Sequence, residues 1–117
     1  MGQYFKAVNV SKKEYVDHWY LGVSKLWEWC VNKEAGIFPY LLRKSNQRGG
    51  GDISNPDPKY AGRWAGDEVY LVGDYDKSDL YEKAGNEFTN ISQPLVEEYN
   101  DFVEEKSFQL KPVQESQ

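Results

Sequence analysis

Residues 3–10 (QYFKAVNV) set Tyr4, Lys6 and Val8 on one face and Phe5 and Ala7 on the other, which predicts a first strand. Residues 9–13 are polar and turn-like, and residues 14–21 fit a second strand or an early helical turn, with Gly22 interrupting either. Val23, Leu26, Trp27, Cys30 and Val31 then recur at the spacing of one helical face, and Gly36 supplies a C-terminal stop. Residues 37–44 form a short apolar run in which Pro39 suits the first turn of another helix. Residues 45–61 hold three consecutive glycines and two prolines with almost no periodicity, and read as a loop. Residues 68–75 (EVYLVGDY) predict a strand; Gly66-Asp67 is a turn pair before it, making residues 62–64 the predicted hairpin partner. A short helix follows over residues 79–88 with Asp79 as N-cap. The clearest helix spans 92–106, with Ser92 as cap, Pro94 in its first turn and Leu95, Tyr99, Phe102 and Val103 as its apolar stripe.

Strands at the front and middle with helices between and after them define an α+β class: a small, mainly antiparallel sheet covered by three to four helices. The 117 residues predict one domain over 1–108 and a polar, frayed tail over 109–117. Four Trp, nine Tyr and five Phe supply the large apolar side chains that disordered chains lack.

A single cysteine, Cys30, forbids an intrachain disulfide and favours a reducing, cytoplasmic setting; on the predicted helical stripe it reads as a buried thiol. One cysteine and one histidine cannot build a four-ligand zinc site. The first ten residues lack the apolar segment of a signal peptide, and no apolar run approaches the roughly 18 residues of a membrane span.

The net charge of −5 argues against a protein that coats nucleic acid. It is, however, an average over opposites: residues 43–64 carry +3 and every arginine, whereas residues 65–117 carry −9. Glycine lets backbone N–H groups converge on an anion, and arginine offers a planar fork for phosphate or carboxylate. Arg43, Arg48, Gly49, Gly50, Gly51, Asp52, Arg63, Trp64 and Asp67 are therefore the candidate ligand-binding residues. In this reading Arg48 and Arg63 meet phosphates, Trp64 and Tyr60 stack on a base, and Asp52 orients an arginine or accepts from a ribose hydroxyl. The competing reading is a solvated loop whose arginines balance the acidic half, since no established phosphate-loop pattern is present.

Asp67, Asp74, Asp76 and Asp79 cluster around the middle strand. An EF-hand is excluded, because Asp79 stands where its glycine belongs and no Glu follows at the twelfth position. A Mg²⁺ site on Asp67 and Asp74 is the weaker alternative to capping and turn formation. Glu97, Glu98, Asp101, Glu104 and Glu105 form a solvated face of the last helix, or alternatively a dock for a basic partner. His18, flanked by Asp17 and Trp19, is a candidate for a dyad with a carboxylate, against the commoner role of a structural histidine.

Taken together, MGQYFKAVN with KKEY, RGGGD, GRWAGDEVYLVGDY and LYEKAGNEFTNIS resemble a family of small bacterial and phage-type proteins of unassigned function, over roughly residues 1–105. The resemblance implies no activity; it singles out residues 48–52, Gly62, Trp64, Gly66, Asp67 and 73–75 as family-like, with WEWCVNKEAGIFPY atypical.

Three functions follow as expectations. The first is a binding protein for an anionic small molecule, a nucleotide or nucleotide-derived signal, of which the resemblance makes phage-type counter-defence one biological form. The second is an acidic interaction or inhibitor domain working through the last helix. The third is a Mg²⁺-assisted phosphoryl hydrolase using Asp67 and Asp74 with Arg63. No catalytic motif accompanies any of them, which favours binding over catalysis.

Overall fold

The structure, a computed structural model, describes residues 2–113. Its sheet holds β1 (Phe5–Asn9), β2 (Glu14–Val16), β3 (Val69–Gly73) and β4 (Thr89–Asn90) in the order β3-β1-β2-β4. β1 runs antiparallel to both neighbours, and β2 pairs in parallel with β4. The helices are α1 (His18–Leu21), α2 (Leu26–Val31), α3 (Ile37–Leu42), α4 (Leu80–Glu87) and α5 (Ser92–Val103). The α+β class with a mostly antiparallel sheet is thus the observed one. Among the described residues no helix is long and apolar enough to cross a membrane.

The larger core lies on the face that carries Ala7, Val16 and the partly buried Leu71. Trp29 of α2, Ile37 and Leu41 of α3, Leu95 of α5 and Trp64 close over it. The opposite face buries Val8 and Val72 beneath Ala84 of α4. β1 is covered on both sides, so Lys6 and Asn9 are drawn inside and must find polar partners there.

Several sequence expectations change. Residues 14–21 are both a strand and a helical turn, divided at Asp17, whose carboxylate caps α1 through the Trp19 N–H at 3.0 Å. Of the predicted stripe only Val23, ahead of α2, is buried; Leu26, Trp27, Cys30 and Val31 face outward and are exposed, so Cys30 is not a buried thiol. The rotation of α2 is fixed by Glu28, which accepts the Ser24 and Lys25 N–H groups at 2.9 Å each. That turns Trp29 inward, where its indole donates to the Phe5 carbonyl at 3.1 Å and packs beside Phe38. One large ring with a satisfied N–H outweighs several smaller apolar groups.

Residues 62–64 are not a strand beside β3; that place belongs to β1. They dock on the end of α3 through Gly62 N–H to the Tyr40 carbonyl (2.8 Å) and Trp64 N–H to the Leu41 carbonyl (2.9 Å). Pro39 and Pro94 do sit in first helical turns. Asp79 and Ser92 begin their helices without capping them by side chain; Asp79 takes φ 63°, and the Ser92 hydroxyl instead accepts from the Asp17 N–H. α5 stops at Val103, where Glu104 adopts φ 67°. The tail predicted to fray is docked as far as Val113: Leu110 is buried, its N–H bonds Asn100, and the Val113 N–H bonds the Tyr20 carbonyl. Residues 114–117 lie outside the described residues.

Candidate functional site

The nine candidate ligand-binding residues separate into four places. Arg43, at the end of α3, grips both oxygens of Asp52 at 2.8 and 2.7 Å and donates to the Ser45 and Gln47 carbonyls. Four of a guanidinium's five donors are thereby engaged inside the loop. Hydrogen bonds from Arg43 hold the Asp52 carboxyl down at about 2. Arg48, at the exposed tip, donates among the described residues to the Pro56 carbonyl alone, at 3.2 Å, and a Cβ at Gly49, Gly50 or Gly51 would meet open space.

Arg63 and Trp64 turn the other way, onto the buried carboxylate of Glu14 in β2. The Arg63 Nε lies 3.0 Å from both Glu14 oxygens, its Nη2 pairs with Oε2, and the Trp64 Nε1–H donates to Oε1 at 2.9 Å. Burial works to raise the Glu14 carboxyl, but the donors from Arg63 and Trp64 outweigh it and hold it below the usual carboxylate range. Trp64 is 0% exposed and offers no face on which a base could stack. The single pocket expected of Arg48, Arg63 and Trp64 therefore does not form. Asp67 accepts from Asn9 at 2.8 Å and from Lys12 at 2.6 Å.

Asp67 and Asp74 lie before and after β3, a separation of roughly 20 Å at the rise of an extended chain, so they cannot share one ion. Among the described residues no group of three or more His, Cys, Asp or Glu side chains gathers as a metal site.

What the fold does assemble around Arg43 and Asp52 is a cleft of about 430 Å³ between α3, α5 and the loop. Its wall is aromatic. Tyr40 meets Tyr99 edge-on at 5.5 Å and Phe102 at 5.3 Å, and Phe102 remains partly exposed. Gly36 makes this packing possible: a Cβ there would stand 2.2 Å from the Tyr99 hydroxyl. Ile53, in the middle of an otherwise polar loop, is buried against the same aromatics and tethers the loop. A smaller cavity of about 300 Å³ continues toward Ser54, Asn55 and Asp101.

Glu98 holds the loop's far end. Predicted to face solvent with its acidic neighbours, it turns inward to accept the Tyr40 hydroxyl at 2.7 Å and the N–H groups of Lys59, Tyr60 and Ala61 at 2.8, 2.9 and 3.1 Å. Burial disfavours its charge, yet these four donors keep its carboxyl below the usual range. Glu97, Asp101, Glu104 and Glu105 stay exposed.

A second polar cluster joins residues far apart in sequence. His18 is fully buried; its Nε2 meets the Tyr81 hydroxyl at 2.5 Å, and its Nδ1 has no hydrogen-bond partner among the described residues. Among the described residues no carboxylate bonds the imidazole, and Asp17 is engaged in capping α1. Burial pushes the imidazole down to about 4, with Asp17, the Val23 backbone and Asp74 pulling the other way and Lys6 reinforcing the fall. Burial, reinforced by Asp74 and Asp17, pushes the Tyr81 hydroxyl up to about 12. Lys6 donates to the Tyr81 carbonyl at 2.8 Å and stands 4.2 Å from its ring centre. Burial therefore favours the neutral form of His18 within the core. Only the isolated Tyr81 in a polar helix hinted at this contact.

No protein-family model, no curated protein and no solved structure matches this chain.

Proposed function

We propose that the protein is a binding module for a small planar ligand of the nucleobase or nucleotide class, held in the cleft between α3, α5 and the 45–61 loop. The observation that carries this reading is the pairing of a three-ring wall with a guanidinium at one end of the same cleft. Phe102 and Tyr99 offer the face for a ring. Among the described residues Arg43 has one donor uncommitted, and a ligand anion can compete with Asp52 for the others. Glu98 and Asp101 border the neighbouring cavity, so a triphosphate meets repulsion there. A nucleoside or monophosphate fits better. The anion site expected at Arg48, Arg63 and Trp64 thus moves to Arg43, and the stacking partner from Trp64 to Phe102.

Thermal-shift measurements with adenosine, guanosine, their monophosphates, cyclic monophosphates and ATP test it. A nucleoside or monophosphate should raise the melting temperature, Phe102→Ala should abolish the rise, and Arg43→Gln should weaken only the charged ligands. A flat panel, or a shift that Phe102→Ala leaves intact, would reject the reading.

A further inference from the structure

The outer edge of β3 is open. Of its two edges, one pairs with β1 and the other has no strand beside it among the described residues. Which backbone groups point outward follows from the register. The Val10 N–H bonds the Glu68 carbonyl and the Asp74 N–H bonds the Tyr4 carbonyl, so 10↔68 and 4↔74 are bonded pairs of the antiparallel ladder. Bonded and non-bonded pairs alternate, so Tyr70 and Val72 also face β1, while Val69 and Leu71 direct N–H and C=O to the free side. No hydrogen bond from the described residues reaches those four groups.

An exposed edge is usually blunted by a lysine, a proline or a bulge. β3, with the sequence VYLVG, has none of these between its ends. A groove of about 620 Å³ runs along it, with Phe5, Tyr70, Leu71 and Leu80 among its walls. An extended backbone is the one ligand that satisfies alternate N–H and C=O groups at this spacing while placing alternate side chains in such a groove.

Charge decides between a second copy and a different chain. Pairing β3 with itself over its full length requires a two-fold axis through its central residue, Leu71, which would set Glu68 of each copy opposite Asp74 of the other. Like charges directly opposed across a strand pair are destabilising. A foreign segment with a cation at each end would instead meet Glu68 at one end and Asp74 and Asp76 at the other. Among the described residues none of these three carboxylates forms an ion pair. Lys83, on the groove wall, can meet an acceptor group of such a segment.

We propose that the free edge of β3 is a docking site for an extended segment of another protein, with apolar residues at alternate positions and Lys or Arg at its ends, which joins the sheet as an additional strand. This surface is separate from the aromatic cleft and does not depend on it.

The test is selection of a displayed random nonapeptide library on the full chain, followed by hydrogen exchange with the synthetic winner. Enriched peptides should alternate apolar residues between basic ends. Their binding should slow exchange at the Val69 and Leu71 amides and leave Tyr70 and Val72, already bonded to β1, almost unchanged. The exposed double variant Glu68→Lys/Asp76→Lys should weaken the basic peptide about tenfold and favour an analogue with Glu at its ends. Four results would overturn the proposal: no enrichment, protection confined to another surface such as the exposed face of α2, indifference to the charge reversal, or a dimeric free protein whose Leu71 amide is already protected.

Discussion

The arginine-bearing segment divides into two regions at Lys59, and they behave differently. Residues 43–58 are held chiefly by local contacts: Arg43 to Asp52, Arg48 to Pro56, and one apolar tether, Ile53, with three glycines in open space. Residues 59–64 are held by carboxylates from distant elements, Glu98 of α5 and Glu14 of β2. The two carboxylates also differ. Glu98 is stabilised by neutral dipoles, three amides and a hydroxyl, whereas Glu14 is stabilised by a cation and an indole. A glycine- and arginine-rich composition therefore does not itself mean a loose, anion-seeking loop. What decides is whether a buried or half-buried carboxylate lies within reach, because a charge withdrawn from water must collect the donors available.

Breaking the docked region at its centre should have the largest effect. Trp64→Ala, which removes a fully buried indole and leaves Glu14 short of a donor, should cost about 4 kcal/mol in urea unfolding. Gly50→Ala, in open space, should stay within about 0.5 kcal/mol. Equal costs would erase the distinction between the regions.

Acid tests a constraint outside both regions. The His18 pKa falls from 6.5 to about 4 on folding. The unfolded chain therefore binds more protons in that interval, so stability is full above pH 6.5 and is lost as pH falls toward 4. At ~1.4 kcal/mol per unit the loss approaches about 3 kcal/mol. His18→Gln should flatten the slope between pH 7.5 and 4.5. For Glu14 and Glu98, whose carboxyls are depressed, stability is present above about pH 4.5 and goes as pH falls below it. The Arg43–Asp52 pair, with Asp52 at about 2, should be the last to break.

Removing the neutral-donor anchor comes next. Glu98→Ala leaves the Tyr40 hydroxyl and three amides without their acceptor, and should cost about 2 kcal/mol. Exchange of the Tyr60 and Ala61 amides should accelerate, while the Arg43–Asp52 end stays in place.

The smallest expected difference compares two glycines of positive φ, one from each region. At Gly62, φ is +76° and a Cβ would lie 2.6 Å from the Arg43 carbonyl oxygen. At Gly51, φ is +80° with nothing near. Gly51→Ala should cost about 1 kcal/mol, the left-handed penalty alone, and Gly62→Ala about 2 kcal/mol or more. Thermal unfolding of the two variants resolves the order.

Where a signal is local, the sequence carried it. β1, α4 and α5 were legible because alternation or helical spacing and flanking turn residues agree within each. α2 was legible as a helix but not in its buried face, because in six residues a single inward Trp29, set by Glu28, overrides the stripe. Within the candidate site, Arg43 and Asp52 were both named as candidate residues and Asp52 as one that orients an arginine, but their pairing across nine positions was not legible. Tyr99 and Phe102 were named only as core stripe, and Trp64 as a stacking surface.

The α+β class, the single cysteine, the opposed charges of the two halves and the position of the loop follow from the chain alone, since each depends on composition or on neighbours within a few residues. Which carboxylate each arginine meets, which face of α2 is buried, how three aromatics line one cleft and which edge of the sheet stays open were decided only by the tertiary structure. Glu14 and Arg63 are 49 positions apart, and His18 and Tyr81 are 63 apart. Across such distances only the packing of the core brings groups together, and burial then selects the partners that leave the fewest charges and donors unsatisfied.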